Sequence, residues 1–333
     1  MNTKIITAEN ITQAALCLKA GGTVVFPTET VYGLGGDAFS DDAVDKIYKA
    51  KGRPSDNPLI VHICDISQLS LLASTVSPKA ALLMEHFWPG PLTMIFKKNS
   101  NVGGKVTAGL DTVAVRFPSN QIAQRLISEC GTLVAAPSAN LSGSPSPTVC
   151  ADVIDDLDGR VDYIIDGTGC EIGLESTVVD VSGDKTIVLR PGAVTLEMIQ
   201  KLIPDAELDA GLIDADSVPK CPGLKYTHYS PKAEVIVVQG ESERVRAYIQ
   251  SQLDANPACG VLSYKGSTYS GSAIVLDAGD SMEQYAHNLF SHLRTFDKRG
   301  VELVYAEFAP EGGMGTAVRN RLYKAAGHHI IEV

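Results

Sequence analysis

The chain has 333 residues, long enough for two domains with separate cores. Hydrophobic residues make up 44% and charged residues 20%, and no run approaches the roughly 20 apolar residues of a membrane helix, so a globular protein is expected. The net charge of −11 is shared by both halves, with 16 Lys+Arg against 23 Asp+Glu through Asp205 and 12 against 16 beyond it. That balance excludes broad electrostatic capture of nucleic acid, so any anion site must come from local convergence of a few cations.

Met1 to Asn10 has neither a basic start nor an apolar run, so no secretory signal is expected. The seven cysteines, at 17, 64, 130, 150, 170, 221 and 259, form no Cys-x-x-Cys pair, which excludes a zinc knuckle or a thioredoxin-like motif. An odd, scattered set suits a reducing compartment, and a cytoplasmic location is expected.

In chain order, the helical spacing of Ile11 to Lys19 ends at Gly21-Gly22, before a strand over Thr23 to Phe26. A polar turn, Pro27-Thr28-Glu29-Thr30, leads into Val31-Tyr32-Gly33-Leu34-Gly35-Gly36, and Asp41-Asp42 starts the next helix. Strands are predicted at 59–63, 92–96, 113–117, 133–136, 163–166, 176–181 and 186–189, with helices at 67–72, 78–86, 121–130 and 195–202. Residues 206–232 lose periodicity and are punctuated by Pro and Gly, which reads as a linker between a domain at 1–205 and one at 233–333. Beyond it βαβ alternation resumes, with strands at 234–238, 260–264, 273–276 and 303–306 and helices at 241–253, 282–298 and 315–326. That is a small Rossmann-like unit.

The common nucleotide signatures fail. Gly103-Gly104-Lys105 is followed by Val106, so no P-loop is present. Gly33-Leu34-Gly35-Gly36-Asp37-Ala38 fits the loose dinucleotide pattern. However, Lys51-Gly52-Arg53 stands where an acidic residue should meet a ribose hydroxyl. What remains is a set of polar segments at strand ends, where α/β proteins bind ligands. Taken singly, each also reads as an ordinary turn, cap or solvated loop.

Six of these segments together, in order and spacing, resemble the threonylcarbamoyl-AMP synthase family with its YrdC-type catalytic domain. They are Pro27 to Gly35, Lys49 to Leu59, Trp88 to Thr93, Val115 to Pro118, Ala136 to Gly143 and Glu175 to Val178. Pro222-Gly223-Leu224-Lys225-Tyr226-Thr227-His228-Tyr229-Ser230-Pro231 resembles the linker of the longer members, with Leu224 where Met is common. The resemblance spans essentially the whole chain. It implies an α/β fold: a twisted mixed-sheet catalytic domain plus a smaller Rossmann-like domain.

It also implies a reaction, in which L-threonine, bicarbonate and ATP give threonylcarbamoyl-AMP and pyrophosphate. The product would feed a transferase that modifies adenosine 37 of tRNAs reading ANN codons. Such chemistry rests on positioning and charge neutralisation, which suits cations better than a nucleophile. Lys51 and Arg53 are the expected catalytic cations. By motif position, Arg53, Asn57, Thr112, Ser138, Ser146, Arg190 and Tyr226 are the expected ATP contacts. Thr30, His62, Arg116, Ala136 (through its backbone) and Ser176 are the expected L-threonine contacts, with Arg116 clamping the carboxylate. Mg2+ is expected with the triphosphate, without a dedicated carboxylate cage. Lys225, His228 and Tyr229 read either as anchors that fasten the linker on the first domain or as a lid that closes over the site and excludes water. Two other functions compete. Adenylation from carbamoyl phosphate is disfavoured because no Cys-rich finger is present, and an RNA-binding module is disfavoured by the acidic charge.

Overall fold

The structure, a computed structural model, describes residues 2–209, 229–308 and 312–333. Two compact units emerge. One gathers Met1–Ser142, Pro147–Glu171 and Glu175–Tyr226; the other gathers Gly143–Ser146, Ile172–Leu174 and Thr227–Val333.

The first unit is built on strands β1 (Lys4–Thr7), β2 (Val24–Phe26), β3 (Gly33–Asp37), β4 (Ile60–His62), β5 (Leu92–Lys97) and β6 (Thr112–Arg116), followed by β7 (Val134–Ala135), β8 (Tyr163–Asp166), β9 (Thr177–Asp180), β10 (Ile187–Arg190) and β11 (Glu207–Leu208). They form one sheet in the order β1-β8-β2-β3-β7-β4-β6-β5-β9-β10-β11. The sheet is mixed: β4 runs parallel to β6 and β5 parallel to β9, whereas β5 and β6 are antiparallel. The expected twisted mixed sheet is therefore present.

Helices α1 (Ile11–Lys19), α2 (Asp41–Lys51), α3 (Pro78–Phe87), α4 (Gln121–Cys130), α5 (Cys150–Leu157) and α6 (Leu196–Gln200) pack on this sheet. In α1, Ile11, Ala14, Ala15 and Leu18 fall on one helical face. They join Ala123, Leu126, Ile127 and Cys130 of α4 in a core over Val24 and Phe26. The ends of α2 follow local chemistry. Ser40 accepts from the Ala43 amide, Asp41 and Asp42 occupy the positive N-terminus, and Gly52 leaves the helix at φ 61°. That exit projects Lys51 and Arg53 from one helix end.

Two features differ from the sequence reading in kind. Gly33 to Asp37 is strand, because the glycines admit close neighbours: a Cβ at Gly35 would lie 2.8 Å from Val134 Cγ1 and 2.9 Å from Phe26. The 67–72 segment is a 3-10 turn over Ile66–Leu71, capped by Asp65 and Gln68, rather than an α-helix. Three edge strands (β1, β11 and the last strand of the second unit) and α5 carry no sequence prediction; β11 extends the sheet past Asp205. The second unit holds β12 (Glu234–Gln239), β13 (Gly260–Ser263), β14 (Ile274–Asp277), β15 (Leu303–Phe308) and β16 (Ile330–Glu332), all parallel, in the order β14-β13-β15-β12-β16. With α7 (Ser242–Ala255), α8 (Met282–Lys298) and α9 (Met314–Ala325) it has the expected Rossmann-like character.

Candidate active site

One face of the large sheet is ordinary core. Val61, Val115, Met94, Phe96, Val179 and Val188 point into the main hydrophobic cluster. The opposite face is different, and strand register explains how. His62 of β4 pairs with Arg116 of β6, Arg116 with Thr93 of β5, Thr93 with Val178 of β9, and Val178 with Arg190 of β10. Residues paired across ladders share a face, so His62, Arg116, Thr93 and Arg190 form one row across five strands. Two residues along lies an apolar strip of Ile60, Ala114 and Ile95, which clusters with Val178 and Leu189. At the far end of β6, Thr112 keeps the same parity as Arg116, roughly 13 Å away at 3.3 Å per residue.

Arg190 reaches this face through an irregularity. Regular alternation would send it to the same side as Val188, into the main core. A register shift between Val188 and Arg190 sets it opposite Val178 instead. There Nε donates to Ser176 O at 3.0 Å and Nη2 to Ser176 Oγ at 3.1 Å, and Ser176 Oγ is 2.7 Å from Thr93 Oγ1. Gly192 lets the chain pass this spot, since a Cβ there would lie 2.5 Å from the Thr177 amide nitrogen.

Arg116, only 4% exposed, is held from the turn after β2. Its Nη1 donates to Thr30 Oγ1 at 2.8 Å, and its Nη2 lies 2.8 Å from Glu29 Oε1. Thr28 fixes that turn by bonding the Val31 carbonyl and the Thr30 and Val31 amides. Burial pushes the Glu29 carboxyl up, but the Arg116 charge 2.8 Å away and the nearby Glu29 and Ser119 backbone groups outweigh it, so the group sits below the usual carboxylate range. Burial, reinforced by the Arg116 charge, pushes His62 down to about 3 and keeps its imidazole neutral. Its Nδ1 is 3.2 Å from Ile60 O.

Lys51 departs from expectation. Its buried ammonium donates to Ser138 O at 2.5 Å and Asn140 O at 2.6 Å, so it ties down the 138–140 loop instead of standing open beside Arg53. That loop is fastened to β3 as well, through Leu34 N to Pro137 O and Ala139 N to Tyr32 O. Arg53 is turned onto the carbonyls of Asn57 and Pro58, at 3.4 and 3.3 Å. Asn57 is buried, and its Oδ1 has no hydrogen-bond partner. The Ala136 amide donates to Ile60 O, which leaves the carbonyl as the backbone group it can offer a ligand.

The structure thus brings Thr30, His62, Arg116, Ser176 and Arg190 together on the first unit. Ser146 is buried in the second unit, and Tyr226, Lys225 and His228 lie outside the described residues. Tyr229 stacks on Phe290 with centroids 5.2 Å apart, a contact within the second unit. Thr93 carries no expected role, although it lies inside a quoted motif. Among the described residues no group of three or more His, Cys, Asp or Glu could hold a metal, and no helix is long and apolar enough to cross a membrane.

Comparisons with known proteins agree with one another. The profile of the family described as "Telomere recombination" matches residues 17–192, and that of "Threonylcarbamoyl-AMP synthase, C-terminal domain" matches 194–327. Threonylcarbamoyl-AMP synthase of Bacillus subtilis (strain 168) is 48% identical over 96% of this chain and 94% of its own length. The protein of that name from Pyrococcus abyssi is 45% identical over 96% and 95%. The crystal structure of P. abyssi Sua5 complexed with L-threonine superposes with a TM-score of 0.95 at 43% identity, covering 99% of this chain and all of that one. The chain belongs to the threonylcarbamoyl-AMP synthase family.

Proposed function

We propose that the chain joins L-threonine, bicarbonate and ATP into threonylcarbamoyl-AMP, releasing pyrophosphate, and so acts as a nucleotidyltransferase. The observation that carries this reading is the single sheet face on which a buried row with two arginines, Arg116 and Arg190, lies beside an apolar strip and a polar strand end. The arginines suit an amino-acid carboxylate and phosphate oxygens held next to each other, and the apolar strip suits a flat base. Arg116, with Thr30, receives the threonine carboxylate. Ser176, Ala136 through its carbonyl, and neutral His62 border the same ligand. Arg190 supplies positive charge where anionic reactants meet. Thr112, Asn57, Ser138 and Arg53 line the ATP side, and Lys51 acts by fixing the Ser138 loop.

Threonine's amine, once it has given up its extra proton, bonds to the bicarbonate carbon as one oxygen leaves as water, giving a carbamate. A carbamate oxygen then bonds to the α-phosphorus as the bond to the β-phosphate oxygen breaks. These residues hold two anions within reach and neutralise them, which is the main requirement of such transfer. Mg2+ would enter with ATP, held on its phosphate oxygens and water. A tRNA threonylcarbamoyl transferase in the cytoplasm would consume the product. Pyrophosphate release, measured with each substrate omitted in turn, tests the proposal. Release requires all three substrates, and release that ignores threonine overturns it.

A further inference from the structure

Glu29 is an expensive residue to bury. A carboxylate only 4% exposed loses several kcal/mol of hydration unless it is paired and hydrogen-bonded. It has an ion-pair partner, Arg116 Nη2 at 2.8 Å. Yet neither Glu29 oxygen makes a hydrogen bond of normal geometry, either with Arg116 or with the Glu29 and Ser119 backbone groups nearby, and Arg116 Nε and Nη2 lack one as well. Buried polar atoms left this way call for an explanation. Here four of them, two acceptors and two donors of opposite charge, lie side by side beside Thr30.

That arrangement is the mirror of an α-amino acid, which carries a carboxylate and an ammonium on one carbon. We infer that Glu29 receives the α-ammonium of the substrate while Arg116 takes its carboxylate, so that the pair selects a zwitterion over a simple carboxylic acid. The inference rests on the reading of Arg116 as the carboxylate clamp. Without substrate, the two side chains neutralise each other and keep the site from holding a lone buried charge. With substrate, each exchanges a poorly aligned partner for a charge-assisted hydrogen bond. Because Arg116 keeps Glu29 ionised, the carboxylate accepts from the ammonium without taking its proton. A carboxylate lacking the amine would meet Glu29 as a like charge, which makes the residue a gate against hydroxy acids of the same shape.

The test compares L-threonine with 3-hydroxybutanoate, which keeps the carboxylate and the hydroxyl and lacks the amine. Dissociation constants for both are measured calorimetrically on the full chain and on Glu29→Gln. The preference for threonine should fall on the order of 10- to 100-fold in the variant, the worth of one buried charge-assisted contact. An unchanged ratio, with both ligands weakened together, would mean that Glu29 only holds Arg116 in place, and would overturn the inference. ATP affinity, kept within a few-fold, reports that the variant is folded. If Glu29→Gln does not fold, Glu29→Asp carries the same ratio with a smaller drop expected, and no drop overturns the inference. Failure of the unsubstituted chain to bind threonine would instead sink the substrate reading itself.

Discussion

Two buried carboxylates, one in each unit, are held in opposite ways. In the second unit Glu307 lies at the end of β15, where its carboxylate accepts from the Tyr264 amide at 2.9 Å and from the Tyr269 hydroxyl. Its backbone carbonyl accepts from Tyr285 at 2.9 Å. That charge is satisfied internally and ties three chain segments together. In the first unit Glu29, Arg116 and Asn57 retain buried atoms without hydrogen bonds. Of these two carboxylates, Glu307 with its bonds complete belongs to the scaffold, and Glu29, beside Arg116 on the site face, has capacity left for a ligand.

The largest effect should follow Arg116→Ala. It removes the carboxylate clamp and leaves Glu29 as an uncompensated buried charge, a loss of about 3–5 kcal/mol. Threonine-dependent pyrophosphate release should vanish and the midpoint of urea unfolding should fall. Retention of both would remove Arg116 from the site and erase the contrast. A smaller effect should appear in acid. Because His62 stays neutral down to about 3 against an ordinary 6.5, the unfolded chain binds the extra proton between those values. Stability from this group is therefore present above 6.5 and lost as pH falls toward 3. Unfolding curves of His62→Gln should show a shallower decline across that window, and parallel curves would show that His62 is not held neutral. The smallest functional effect should come from Glu307→Gln, which weakens an internal network by about 1–3 kcal/mol. Its KM for threonine should stay unchanged in a pyrophosphate assay. A shifted KM would mean that scaffold charge and site charge are not separable in this way.

Much of the scaffold was legible in advance. The spacing of Ile11 to Leu18 and the acidic start at Asp41-Asp42 specify helices by local chemistry, and both helices are present. Edge strands such as Glu207–Leu208 were not legible, because two exposed residues carry no periodicity and depend on pairing with Ile187 and Val188. The site divides in the same manner. Arg116 and Ser176 stood out through motif resemblance, but their meeting with Thr93 and Arg190 depends on register among strands far apart in sequence. Lys51 shows the limit of spacing arguments. Two cations two residues apart suggested a shared target, yet one of them turned inward to the Ser138 and Asn140 carbonyls.

The irregular step between Val188 and Arg190 has a genetic side. A guanidinium that reaches its face through one surplus residue depends on the bulge that carries it there. Deleting Leu189 changes no charge and removes no motif; it makes Arg190 the neighbour of Val188, leaves it opposite Val178 on the same face, and draws Pro191 and Gly192 one residue back along the strand. Ironing out the bulge at constant length does the opposite: Leu189 takes the place opposite Val178 and Arg190 turns to the Val188 side, toward the packed interior. The strand therefore depends on keeping its bulge, and exchanges among Ile187, Val188 and Leu189 are tolerated only as far as they preserve it.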